Sequence, residues 1–393
     1  MTTWILEPRD TLLLRDARPS LAGAGALRTL DFPWPSSLAG LLRTRIGTDA
    51  KGWFDPVLAE PVRRVELRGP LLVQLDHQGG VAETFVPAPH DCFWYRETAP
   101  VERFVRKRLR PIDIRQQVAG CQTDLDEEES ARPVRPDLLV GYEEGGVIAK
   151  PTRGPAFWRW TDFAAWLKEP YPETPLAPQQ FREFGLPALT REQRVHVSID
   201  PNSQTAQDGA LFMTEMLRFT HWPKGQDPAQ LALLFECTNP YEGQRPLTPG
   251  CVTFGGDRRL SWLRTAPSVL PPAPKLPAAF YSSSVRLARV FLLTPALFES
   301  GFAPEWIGDP RVRVVAAAVP RPQVVSGWDF AAAPPRPKPN RRMAPAGSVY
   351  WVELPPKVDA EGWLDKVWMK CIPNQLSEQD SRDGFGLCAA GVG

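Results

Sequence analysis

The residues with the clearest chemistry are cations set beside prolines, glycines and hydroxyls. Arg336–Pro337–Lys338–Pro339–Asn340–Arg341–Arg342 carries the cations Arg336, Lys338, Arg341 and Arg342, and its prolines limit the freedom each would lose on gripping an anion. That pattern suits a pre-organised phosphate clamp; a solvated charged face is the plainer alternative. Gly255–Gly256–Asp257–Arg258–Arg259 poses the same choice, with Arg258 and Arg259 on a glycine turn. Arg15 and Arg18, with Asp16 between them, fit either phosphate binding or an ion-pair network. Ser36 and Ser37 follow Pro33–Trp34–Pro35, and either serine can cap a helix by accepting one of its unpaired N–H groups. Such a start is also a ready anion site, with Arg43 and Arg45 further along; an ordinary capped amphipathic helix is the competing reading. Near the end, Gly384-x-Gly386 opens no helix and lacks the dinucleotide spacing. Those glycines serve close packing, or clear room for an RNA backbone to approach main-chain N–H groups.

Bond-breaking chemistry finds little support. His77, His90, His196 and His221 stand apart, with no nucleophile elbow or metal motif near them, and His196 reads as a strand-face residue. The cysteines at 92, 121, 237, 251, 371 and 388 contain no C-x-x-C pair, so reduced thiols are expected, without zinc, cofactor or disulfide framework. Asp76, Asp91 and Asp200 have no partner that the sequence reveals. A net charge of +1 denies the chain a global basic field, so any nucleic-acid contact must be a local patch. With 393 residues, 43% hydrophobic and 23% charged, the composition is that of a soluble globular protein, and its unpaired thiols suit the cytoplasm. No leader or membrane-spanning run is read from it. The 44 prolines predict long ordered loops and interrupted strands.

The elements that must position these residues follow from periodicity. Leu38, Leu41, Leu42 and Ile46 form one helical stripe that Gly47 stops. A strand at 3–7 precedes that helix; strands at 62–68, 71–76 and 81–86 follow it, with turns at Gly69–Pro70 and Gly79–Gly80. Strand, helix and hairpin begin a ferredoxin-like βαββαβ unit. Residues 97–150, with the acidic run Asp124–Glu129, read as an insertion, and 161–168 as a helix capped by Thr161. A hairpin at 194–199 and 209–219 and strands at 231–237, 251–254 and 260–263 complete the first half. The pattern then restarts: a strand at 285–293, a helix at 295–300 capped by Thr294, strands at 312–319, 323–326, 348–354 and 367–371, and a closing 383–392 that is a glycine loop followed by a terminal strand. The expected class is therefore α+β. It comprises tandem ferredoxin-like domains with hairpin and loop insertions: 1–270 with an insertion about 97–190, a proline-rich linker 271–284, and 285–393.

These motifs resemble a known family. Phe32–Pro33–Trp34–Pro35–Ser36–Ser37–Leu38–Ala39–Gly40–Leu41–Leu42–Arg43 resembles the N-terminal signature of the third subunits of the type III-B CRISPR–Cas Cmr effector, in the RAMP superfamily. The segment from Glu7 to Pro19, the central hairpin, residues 326–350 with their Lys338–Pro339–Asn340–Arg341–Arg342 core, and the closing 384–392 are similar to that family in the same order. Residues 97–187 carry the least of the likeness, and the chain ends on Gly391–Val392–Gly393, where relatives often hold an aromatic residue.

The resemblance implies a non-catalytic, RNA-binding ribonucleoprotein subunit of two RRM-like domains. Such a subunit caps the 5′ repeat-derived tag of the crRNA and docks on the large polymerase-like subunit and the backbone RAMP subunits, as part of antiviral defence. On this reading Arg15, Arg18, Ser36, Ser37 and Arg43 line one side of an RNA channel, and Arg258, Arg259, Arg336, Lys338, Arg341 and Arg342 another. Gly384 and Gly386 would admit the backbone, with Trp34 as a stacking platform. A metal-independent endoribonuclease that processes CRISPR precursor RNA and a purely protein-binding assembly adaptor are the alternatives.

Overall fold

The computed structural model describes residues 1–16, 26–98, 100–113, 138–141, 150–168, 175–222, 227–238, 245–267, 270–283, 286–329, 334, 336–374 and 376–393. The fold is α+β, mostly antiparallel sheet with few helices. It divides into two compact units: Met1–Glu83 with Ala188–Val269 and Val324–Arg341, and Thr84–Pro187 with Leu270–Gln323 and Arg342–Gly393.

In the first unit the strands lie in the order Leu67–Leu75, Ala229–Cys237, Thr2–Pro8, Leu260–Thr265 and Gly250–Thr253, each antiparallel to its neighbour. The helix Pro35–Gly47 buries Leu38, Leu42 and Ile46, the apolar stripe of the sequence, while Leu41 remains half-buried. Two expectations fail here. Gly69–Pro70 is no turn: the strand Leu67–Leu75 runs through it. Gly69 has φ +119°, and a Cβ there would meet the Leu234 carbonyl oxygen at 3.0 Å, so glycine permits the register shift between Leu234 and Glu236. The stretch expected as a strand at 62–68 instead begins in the helix Ala59–Arg63.

A long hairpin, Thr190–Ile199 with Ala206–Arg218, leaves the same unit. Its base is tied by Leu12 and Leu217, which exchange both backbone hydrogen bonds at 2.8 Å. His196 is indeed a strand-face residue: its Nε2 lies 2.8 Å from Thr214 Oγ1 and its ring stacks on Phe212.

The second unit orders its strands Arg313–Ala318, Val349–Leu354, Arg286–Leu292, Leu387–Val392 and Lys370–Cys371. Setting aside Val81–Pro87, which pairs on the outer side of Leu67–Leu75, and the edge strands Gly250–Thr253 and Lys370–Cys371, both units place their second strand first, then the third, first and fourth. The helix Ala360–Val367 is capped by Asp359, whose carboxylate accepts from the N–H groups of Glu361 and Gly362, and it buries Trp363, Leu364 and Val367. It occupies part of a stretch expected as strand, which shrinks to Lys370–Cys371. The helix Trp160–Lys168 begins one residue before Thr161, so Thr161 lies inside it; Phe163, Trp166 and Leu167 face inward as expected.

No helix forms at 295–300. Ala296 exchanges backbone hydrogen bonds with Ala344 at 2.9 Å, and Thr294 does not cap. Its hydroxyl donates to the Gly384 carbonyl at 2.7 Å and accepts from the Leu387 N–H at 2.9 Å, tying the glycine loop to the last strand. The acidic run Asp124–Glu129 lies outside the described residues.

Burial pushes the His90 imidazole below its ordinary value, with Asp91 opposing the shift, and burial pushes His221 the same way. Both rings therefore resist protonation when folded, while the unfolded chain takes up those protons near pH 6.5. The unfolded state binds more protons in that window, so stability should fall as pH drops below about 6.5. Denaturant midpoints at about pH 7.5 and about pH 5.5 check this; a midpoint that rose on acidification would contradict it.

Candidate nucleic-acid interface

Proline and periodicity together place the first helix. Trp34 is its N-cap residue, in extended conformation and without a side-chain cap bond, and Pro35 occupies the first turn, where its missing N–H costs nothing. Ser36 and Ser37 are therefore inside the first turn and cap nothing, contrary to expectation. The Ser37 N–H already donates to the Trp34 carbonyl at 3.0 Å. Trp34 itself is half-buried.

The face beside the buried stripe carries Ser37, Gly40, Leu41, Thr44, Arg45 and Thr48, at the spacing of one helical surface. It forms one wall of a cleft of about 500 Å³; the other wall is Cys251–Gly255 together with Leu260. One lining residue, Arg45, is a cation and none is a carboxylate. Arg45 Nη2 donates to Thr248 Oγ1 at 3.2 Å, a contact that steadies the guanidinium at the cleft. Thr44 and Thr48 each donate a hydroxyl hydrogen to the carbonyl four residues back, which leaves their oxygens as acceptors.

The turn between the cleft-lining strands carries Arg258 and Arg259. Asp257 and Arg258 both adopt left-handed backbone, at φ 55° and 49°, and the Phe254 N–H donates to the Arg259 carbonyl at 2.8 Å. Gly255, at φ +80°, must be glycine: a Cβ would lie 2.8 Å from the Leu13 carbonyl oxygen, the acceptor of the Gly256 N–H. Arg258 is exposed at the turn. Arg259 folds inward, its side chain 16% exposed and 3.5 Å from Asp257.

The remaining candidates are used differently. Arg43, expected in the channel, donates instead to the carbonyls of Val62 and Val65, closing the end of the helix Ala59–Arg63. Arg45, two residues on, is the helix arginine that reaches the cleft, and sequence reasoning left it out of the site. Arg15 is exposed and its backbone bridges Thr29; Arg18 lies outside the described residues.

Arg336 and Lys338 are exposed on a short pair, Trp328–Asp329 with Arg336–Pro337, held by the Lys338 N–H on the Gly327 carbonyl at 2.8 Å. Arg341 is half-buried and ends the first unit's share of the chain, and the exposed Arg342 begins the second's. The cation run thus lies along one arm of a hairpin whose other arm is residues 323–329.

Gly384 and Gly386 are both buried. At φ 97° and 79° they turn the chain, and their N–H groups donate to the carbonyls of Ser381 and Pro295. A Cβ on Gly386 would meet the Ile372 carbonyl oxygen at 3.2 Å, a close packing contact. Among the described residues no group of three or more His, Cys, Asp or Glu side chains is placed to hold a metal ion. No described helix is long and apolar enough to cross a membrane.

Comparison with known proteins adds identity to this geometry. No curated protein sequence matches. Similar solved chains occur in cryo-EM structures of the type III-B Cmr-β complex bound to cognate target RNA. One, with AMPPnP in state 1, is 14% identical over 89% of this chain and 86% of that chain, at a TM-score of 0.44. Another is 13% identical over the same shares, at 0.45. The family model for CRISPR-associated protein (Cas_Cmr3) matches residues 4–393, which spans the helix, the cleft, the cation run and the closing strand; the chain belongs to that family.

Proposed function

We propose that this chain is a non-catalytic RNA-binding subunit of a type III-B Cmr effector that holds the 5′ repeat-derived tag of the crRNA. On this reading it works in a cytoplasmic hetero-oligomer, docked on the large polymerase-like subunit and the backbone RAMP subunits. Family membership supports the setting. The observation that carries the chemistry is the cleft beside the first helix. It is lined by four hydroxyl side chains, one arginine and apolar residues such as Leu41 and Leu260, with no carboxylate, and it is approached by a turn that presents Arg258. Such a surface suits a single strand held by phosphate and shape. The strand order shared by both units is that of a ferredoxin-like βαββαβ sheet, which supports reading them as two RAMP domains.

The test is binding and cleavage in one assay. The full chain is titrated into fluorescent RNA with and without the tag, and repeat RNA is then incubated with it and sized on a gel. Tighter binding of the tagged strand with the repeat left intact is expected. A specific cut would replace this reading with the endoribonuclease, and equal, weak binding of both strands would replace it with the adaptor.

A further inference from the structure

The hairpin that forms one wall of the cleft carries a feature the proposed phosphate contacts do not use. Trp262 is 42% exposed and Leu260, two residues before it on the same strand face, is 47% exposed. Across the strand pair Trp262 stands opposite Cys251, and Leu260 opposite Thr253. Cys251, Thr253 and Leu260 all line the cleft, so the indole continues the same wall. On its other side Trp262 is opposite Glu7, which is buried. An indole left half in water on an interior strand of a sheet forgoes part of the burial that usually accompanies a tryptophan.

The surroundings select what would cover it. An apolar protein side chain would meet the indole and the apolar lining at Leu41 and Leu260, but would leave the four hydroxyl side chains and the arginine among them without a partner of matching charge. A nucleotide presents both kinds of surface at once, a flat base and an anionic backbone. The helix face from Ser37 to Thr48 runs about 16 Å, enough for a short stretch of single strand. Its phosphates would then lie toward Arg45 and Arg258, with a base toward the sheet. We infer that Trp262 is a base-stacking platform on the cleft wall, with Leu260 as its apolar neighbour, and that it takes an unpaired base of the bound RNA. This inference rests on the cleft being the RNA site and goes beyond it by naming the residue that contacts a base.

The experiment uses the full chain and the tag-bearing RNA, together with a series in which one nucleotide at a time is abasic. Trp262→Ala should weaken binding about tenfold, and Trp262→Phe should recover most of the loss. The salt dependence should not change with either variant, because no phosphate contact is removed. One abasic position should weaken the wild-type protein and leave Trp262→Ala unaffected, a coupling that a merely structural tryptophan would not produce. Circular dichroism of both variants should match the wild type.

If Arg45→Ala lowers affinity and salt slope while Trp262→Ala and every abasic position leave binding unchanged, the stacking inference is overturned and the cleft stands. If Arg45→Ala also has no effect, the cleft itself is not the RNA site. Loss of a protein partner from Trp262→Ala, with RNA binding intact, would assign the indole to a protein contact and overturn the inference as well.

Discussion

Replacing Arg289 with methionine should destabilise the second unit by about 3–5 kcal/mol, the usual consequence of stranding one partner of a buried ion pair. Arg289 and Asp91 are both fully buried and bonded to each other. Arg289 also donates to the carbonyls of Val392, at 2.6 Å, and Trp166, at 2.7 Å, while Asp91 accepts from the Trp166 indole N–H at 3.0 Å. One guanidinium thus joins the strand Arg286–Leu292, the last strand and the helix Trp160–Lys168. Without it, the Asp91 carboxylate would be left in a site shielded from water. Domains of this size hold only about 5–15 kcal/mol in total, so the loss should appear as a large fall in the denaturation midpoint of the full chain. Adding Asp91→Leu to Arg289→Met should restore part of the stability, because the stranded charge is then gone. A single variant within about 0.5 kcal/mol of wild type would show that the pair is not the tie described.

The second large effect concerns RNA. Arg45→Ala and Arg258→Ala should each weaken tagged-RNA binding roughly tenfold, the scale of a lost charge-assisted hydrogen bond. Each should also reduce the slope of log K against log salt by about 0.7, as expected for one single-strand phosphate contact. Arg43→Ala should spare the slope, since its guanidinium is engaged with the Val62 and Val65 carbonyls. Arg341→Ala with Arg342→Ala tests the hairpin cations in the same assay, and a lowered slope would place the run on the strand. Affinity and slope unchanged in both Arg45→Ala and Arg258→Ala would remove the cleft from consideration.

Much of the first unit was legible because local signals agree. Pro33–Trp34–Pro35 sets the entry of the helix and Leu38, Leu42 and Ile46 set its buried face, so both the helix and its amphipathic character could be read directly. Which arginine serves the cleft could not be read. Arg43 and Arg45 differ only in the side of the helix they occupy, and the carbonyls that engage Arg43 belong to the end of the helix Ala59–Arg63, whose position depends on tertiary packing. The expected helix at 295–300 failed for a comparable reason. Thr294 followed by Pro295 is a sound cap signal, but the hydroxyl is taken by Gly384 and Leu387, some ninety residues away. The Asp91–Arg289 pair has no local signature, since its members are 198 positions apart and neither sits in a motif.

The glycines teach the complementary lesson. Gly255 and Gly386 were visible as turn residues, and both do take left-handed backbone. Only the structure distinguishes their uses: one shapes the wall of a cleft and the other fills a buried crossing beside Ile372. A glycine pair next to a strand is thus ambiguous between ligand clearance and packing until its N–H partners are known.

Photo-crosslinking of the assembled complex, carrying a crRNA with 4-thiouridine through its tag, tests the central claim most directly. Crosslinked peptides from this chain should contain residues 37–48 and 251–262, the two walls of the cleft. Tag crosslinks confined to other subunits, or to surfaces of this chain away from both walls, would contradict it.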